Sequence, residues 1–283
     1  MKKLLFILTS ILIGAASQNQ LKAQLPIDGA YTKKTTLERK PAPLPLVREA
    51  DAVWSRTVWR IIDLREKANQ HFYFPSREMQ GRSNLFNILL RGIEGKSITA
   101  FDASVSDDEF LKPIDYSQVK QAFGDSVKRI KVTDINTGIE RDSIVQSEIP
   151  SREIKQLEIK EVWYFDKQKS TLQVRILGIC PIWVYKKDPK DTTFVRKKIF
   201  WVYYPEIRPL LAKNESLNGF NGARSFSFDD LFLTRRFDGY IVKEENVYNN
   251  RPIEMYATGE YAAKESDRIK NSIFNYEQDL WEY

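Results

Sequence analysis

Two strand-length runs separated by four polar residues constrain this chain more than any other feature. Residues 157–166 and 171–186 flank Lys167-Gln168-Lys169-Ser170. Strands joined by so short a link pair antiparallel, because a parallel crossover needs roughly a dozen residues or more. In the second run Leu172, Val174 and Ile176 alternate with Gln173 and Arg175, the period of a half-buried strand. Residues 128–133 and 139–147 repeat the arrangement around Asp134-Ile135-Asn136-Thr137-Gly138, whose Asn and Gly suit positive φ. An aromatic-rich strand is expected over 194–204, after a loop at Asp188-Pro189-Lys190-Asp191. Successive hairpins imply an antiparallel sheet, not a doubly wound parallel one. The expected class is α+β, with that sheet packed against amino- and carboxy-terminal helices.

The helices are read from apolar spacing. Val47, Ala50, Trp54, Val58, Ile61 and Leu64 recur at steps of three or four, which predicts a helix over 47–69. Trp59 and Ile62 widen its apolar stripe beyond the needs of a surface helix. A second helix is expected from a Ser83 cap, carrying Leu85, Phe86, Leu89, Leu90 and Ile93 and stopping at Gly95. Residues 98–110 read as irregular, with the acids Asp107, Asp108 and Glu109, and a short helix follows over 117–123. Ser227 with Asp230 has the form of a capping box for a helix bearing Phe228, Leu231 and Phe232, with Phe237 close by. A strand near 240–243 and a last helix over 260–283 complete the chain. Ala262, Ile269, Ile273, Tyr276 and Leu280 mark one face of that helix, with Phe274 and Trp281 beside it.

The amino terminus reads as an export signal. Lys2 and Lys3 precede an apolar run from Leu4 to Ala16, too short to span a bilayer comfortably. Cleavage is expected after Ala23, leaving Gln24 first, with a cut nearer Ser17 as the alternative. No Cys lies near that point, so the mature chain is not expected to be a lipoprotein. Residues 24–46 then form an arm. Pro41, Pro43 and Pro45 enforce extended polyproline-like backbone, and Lys33, Lys34, Arg39 and Lys40 outnumber the acids Asp28 and Glu38. Such an arm is either a slack linker or a strap that contacts a partner subunit, and the second reading makes those four basic residues and three prolines the candidate contact set. The remaining domain spans 47–283.

Composition removes much chemistry. Of 283 residues one is Cys and one is His, which excludes an internal disulfide, a multi-Cys metal site and a His-pair metal site. The formal charge of +6 overstates how basic the working protein is: taking Lys2, Lys3 and Lys22 from 44 basic residues leaves 41 against 38 acidic. Acids are interspersed with the bases, which gives no nucleic-acid footprint. His71 reads as a histidine at a helix end, where a cation is favourable, and Cys180 as a small apolar residue buried in a strand. The acidic sets Asp107/Asp108/Glu109 and Asp229/Asp230 could supply a hydrolase pair but are better explained as a loop cluster and a helix start. Trp163, Trp183 and Trp201 could stack on glycans, which makes a peptidoglycan-binding module the alternative function, although cross-strand packing explains them equally well.

Residues alone stop at an exported α+β interaction protein with no cofactor. Several segments go further. Pro43-Leu44-Pro45-Leu46-Val47-Arg48-Glu49-Ala50-Asp51, then Trp54 and Trp59-Arg60-Ile61-Ile62-Asp63-Leu64-Arg65-Glu66-Lys67, resemble the opening segment of the GldN/PorN family. Similar to that family too are Tyr164-Phe165-Asp166-Lys167-Gln168-Lys169-Ser170, Arg175-Ile176-Leu177-Gly178-Ile179-Cys180-Pro181 and the close from Ile273 to Tyr283. The resemblance implies a periplasmic component of the type IX secretion system, which also supports gliding motility in some Bacteroidetes. It implies a ring, containing several copies of the chain, built under the outer membrane with a lipoprotein partner of the GldK/PorK type. No catalytic motif comes with it. No membrane span is expected in the mature chain.

Overall fold

The computed structural model describes residues 38–79, 81–103, 108–123, 128–133, 140–145, 151–186, 193–217 and 226–280. The signal segment, Ala23, Gln24, Lys33, Lys34, the 134–138 turn, the 188–191 loop, Asp107 and Trp281 lie outside them. The strands are β1 (Ala52–Asp63), β2 (Ala100–Asp102), β3 (Pro113–Ile114), β4 (Lys128–Thr133), β5 (Glu140–Val145), β6 (Ile154–Asp166), β7 (Thr171–Tyr185), β8 (Val195–Lys198), β9 (Phe200–Tyr203) and β10 (Tyr240–Glu244). The helices are α1 (Gln70–Tyr73), α2 (Leu85–Glu94), α3 (Tyr116–Ala122), α4 (Tyr204–Lys213), α5 (Phe228–Leu233) and α6 (Glu260–Asp279). The fold is α+β, as expected. An antiparallel sheet runs in the order β10-β1-β6-β7-β9-β2-β3, with β8 also paired to β7, and β4-β5 form a separate two-stranded ribbon.

The segment expected to be a helix over 47–69 is the long strand β1. It pairs with β6 from Ala52↔Asp166 to Asp63↔Gln156 and with β10 on its other side. Val58, Trp59, Arg60, Ile61 and Ile62 are all buried, because a strand inside a sheet covered on both faces hides every side chain. With no alternation to see, accidental three- and four-residue spacing imitated a helix. The β-branched and aromatic richness of Val53, Trp54, Thr57, Val58, Trp59, Ile61 and Ile62 was the better signal. Smaller differences follow the same logic. Residues 98–110 include β2, the 194–204 strand is two strands parted at Ile199, and α4 was not foreseen. Pro205 sits in the first turn of α4, where no N–H is needed, while Pro209 forfeits one internal bond.

Local signals explain the other helices. Asn84, one residue beyond the expected Ser83, caps α2 by accepting from the Asn87 N–H at 2.8 Å, and Gly95 ends it. Ser227 and Asp230 form the expected reciprocal box at the start of α5, with bonds of 3.1 and 3.0 Å. Gly259, at φ 60°, lets the chain turn sharply into α6.

The two faces of the sheet are covered differently. Val58, Arg60 and Ile62 of β1 point to one face. There Ile62, Leu157, Ile159, Ile179, Phe200 and Val202 pack with α2, α4 and α5 in the main core. On the same face Val58 and Ile241 pack beneath Ile269 and Ile273 of α6 in a second cluster, with Trp54 and Trp163 at its margin. Fully buried Glu161 is balanced by Arg60 (3.5 Å) and Arg235 (3.0 Å). Ser266 of α6 accepts the Ile241 N–H at 2.9 Å, so the helix satisfies part of the β10 edge. The opposite face carries Trp59, Cys180 and Trp201 with Phe101, Phe110 and Val242, and beside them Ile61, Ile182 and Val184.

Candidate interaction surface

A bulge re-aims the edge strand over Trp59. Trp59 pairs with Lys243 and Arg60 with Ile241, so Val242 has no opposite residue. The extra residue turns Lys243 to the same side as Trp59, its ammonium 3.9 Å from the indole centroid. Lys160 lies 5.3 Å from the same ring and 5.7 Å from Phe110. Asp108 ties both down: its carboxylate accepts from Lys243 at 2.7 Å and its carbonyl from Lys160 at 2.8 Å. Burial pushes the Asp108 carboxyl up, but the Lys243 bond and the charges of Lys243, Lys160 and Lys198 prevail and hold it below the usual carboxylate value. Phe110 then seats on Gly178, where a Cβ would come within 2.4 Å of the ring. The cluster fastens residues 108–110 to the sheet. Its charges are spent on each other, which suits a clamp better than a general acid.

The remaining candidates for chemistry are also occupied. Asp229 accepts from Arg208 Nε at 2.9 Å, Arg208 Nη2 at 3.1 Å and the Tyr204 hydroxyl at 2.9 Å, all buried. Asp230 completes the capping box and pairs with Arg39 at 2.9 Å. Cys180 is fully buried between Trp59 and Trp201, and burial pushes its thiol far up, away from nucleophilic use. His71 sits in α1 with its Nε2 unpaired, and burial holds its pKa below the ordinary value. That burial works against the helix-end cation expected from sequence. Trp201 is buried; Trp163 and Trp183 are half-buried against β-sheet neighbours, Trp163 beneath Arg235 and Trp183 stacked on Tyr185. Among the described residues no group of His, Cys, Asp and Glu could hold a metal ion, and no helix is long and apolar enough to cross a membrane.

Surface contacts stand out instead. The described part of the arm, residues 38–46, lies against its own domain through guanidinium groups. Arg39 meets Asp230, the Ala42 carbonyl accepts from Arg208 Nη2 at 2.5 Å, and the Pro45 carbonyl accepts from Arg175 Nη2. Lys40, Pro43 and Pro45 are exposed and Pro41 is half-buried. Sequence reasoning did not single out Arg175 or Arg208, because their arm partners are 130 and 166 residues away. At the carboxy-terminal end Val247 (91% exposed), Tyr248, Met255 and Tyr261 (75%) present apolar area around the start of α6, with Arg251 over Tyr248 and Tyr256. Exposed apolar groups of this kind mark protein contacts when clustered.

A family model described as "Gliding motility associated protein GldN" matches residues 47–282. The match opens at Val47, just past the arm, and takes in every strand and helix of the domain. No curated protein matches the chain.

Proposed function

The chain belongs to the GldN family of gliding motility associated proteins, and from that premise we propose that it is a non-enzymatic, periplasmic subunit of the type IX secretion and gliding machinery. In this reading the signal segment 1–23 directs export, and cleavage after Ala23 leaves a mature chain starting at Gln24. Copies of it assemble with an outer-membrane lipoprotein of the GldK/PorK type into a ring on the inner face of the outer membrane. The observation that carries the reading is the family match over the whole folded domain. The self-neutralised Asp108 and Asp229 clusters and the buried Cys180 agree with a scaffold role. The arm residues Lys33, Lys34, Arg39, Lys40, Pro41, Pro43 and Pro45 are its proposed subunit contacts.

Capture of the native chain from solubilised envelopes tests this. A lipoprotein recovered in fixed ratio is the expected result. A glycan-binding module would behave differently: the purified chain alone would be retained on isolated peptidoglycan, and no lipoprotein would accompany it.

A further inference from the structure

The arm and its seat are two different surfaces of one chain, and their chemistry is matched. Prolines 41, 43 and 45 offer carbonyl acceptors and no N–H donors, so a receptor for this segment must donate. Arg175 and Arg208 do so, to Pro45 and Ala42, and Asp230 takes the Arg39 guanidinium. The seat is built independently of the arm. Arg208 is buried and fixed by two bonds to Asp229, which Tyr204 in turn holds, so its free Nη2 direction persists when the arm leaves. The arm, by contrast, buries little. Ala42, Pro43, Leu44, Pro45 and Leu46 are all exposed, Leu46 at 89%.

A segment held by three polar contacts can fill its own seat or the identical seat of another copy with the same bonds. Only local concentration separates the two, and a neighbour fixed in an assembly removes that difference. An arm and a distinct receptor form a heterologous pair, the kind of contact that builds a ring when the rotation between copies closes. We propose that in the assembled state residues 39–45 leave their own domain and dock on Arg175, Arg208 and Asp230 of the next copy of this chain. The hinge is Leu46–Arg48, which brings the bare Leu46 side chain to the junction between copies. This inference rests on the ring reading above and names what joins neighbouring subunits within it.

Isotope mixing tests it with the unaltered mature chain. Light and 15N-labelled chains are mixed one to one before assembly with the lipoprotein, the particles are treated with a lysine-reactive cross-linker, and peptides joining Lys40 to Lys213 of α4 are weighed. Exchange predicts that about half of those pairs join a light to a heavy peptide. Rings carrying only same-isotope pairs would overturn the exchange while leaving the ring reading intact. Particles that are not rings by electron microscopy would overturn both.

Discussion

Two helices of this fold do opposite jobs. Helix α2 buries seven of its ten residues, among them Leu85, Ile88 and Leu89, at the centre of the main core. Helix α6 is twice as long and buries three of twenty: Ser266, Ile269 and Ile273. Its hold on the sheet is a narrow stripe over Val58 and Ile241, helped by Tyr276 stacked on Trp54 at 4.5 Å and by Arg56 donating to Ser272. Phe274 and Tyr261 face outward. The difference teaches how unevenly helices can serve one sheet: α2 exists to fill the core, whereas α6 is anchored lightly and leaves most of its surface exposed.

The contrast can be broken by substitution. Leu89→Ala removes a fully buried side chain and should destabilise the domain by about 2–5 kcal/mol in chemical denaturation. A cost below about 1 kcal/mol would mean that the α2 core is loosely packed. On the opposite face Cys180→Ser buries a hydroxyl beside Trp59 and Trp201 and should cost about 1–3 kcal/mol, with secretion preserved at permissive temperature. A stable Cys180→Ser chain that fails in secretion would reveal thiol chemistry. Met255→Ser with Tyr261→Ser should shift stability by no more than about 0.5 kcal/mol yet reduce recovery of partner subunits. Unchanged recovery would make that patch ordinary surface.

The smallest effect is a pH dependence. Burial lowers the His71 pKa, so the unfolded chain binds a proton that the folded chain resists. The resulting stability is present above the unfolded value of about 6.5 and is lost as pH falls below it. His71→Ala should flatten that part of the stability–pH curve below about pH 6.5 while leaving secretion working. An unchanged slope would assign the dependence to other groups.

Much of this architecture was legible in sequence because its signals are local. The 167–170 link fixed the β6–β7 pairing, Ser227 and Asp230 announced α5, and Gly95 closed α2. What escaped is long-range. Strand β1 lost its alternation because neighbours distant in sequence cover both of its sides, and α4 was masked by Pro205 and Pro209. The motif from Arg175 to Pro181 was legible as a likeness only. The structure gives it physical roles: Arg175 holds the Pro45 carbonyl, Gly178 admits the Phe110 ring, and Cys180 fills the space beside two tryptophans. None of these roles has a period or a spacing to read, since each depends on a segment folded back from elsewhere.

The central claim is that this chain is a structural subunit of a ring built with an outer-membrane lipoprotein. Electron microscopy of particles captured from native envelopes through this chain tests it most directly. The account predicts closed rings that contain the chain and a lipoprotein in constant ratio. Isolated monomers, free of lipoprotein, would contradict it.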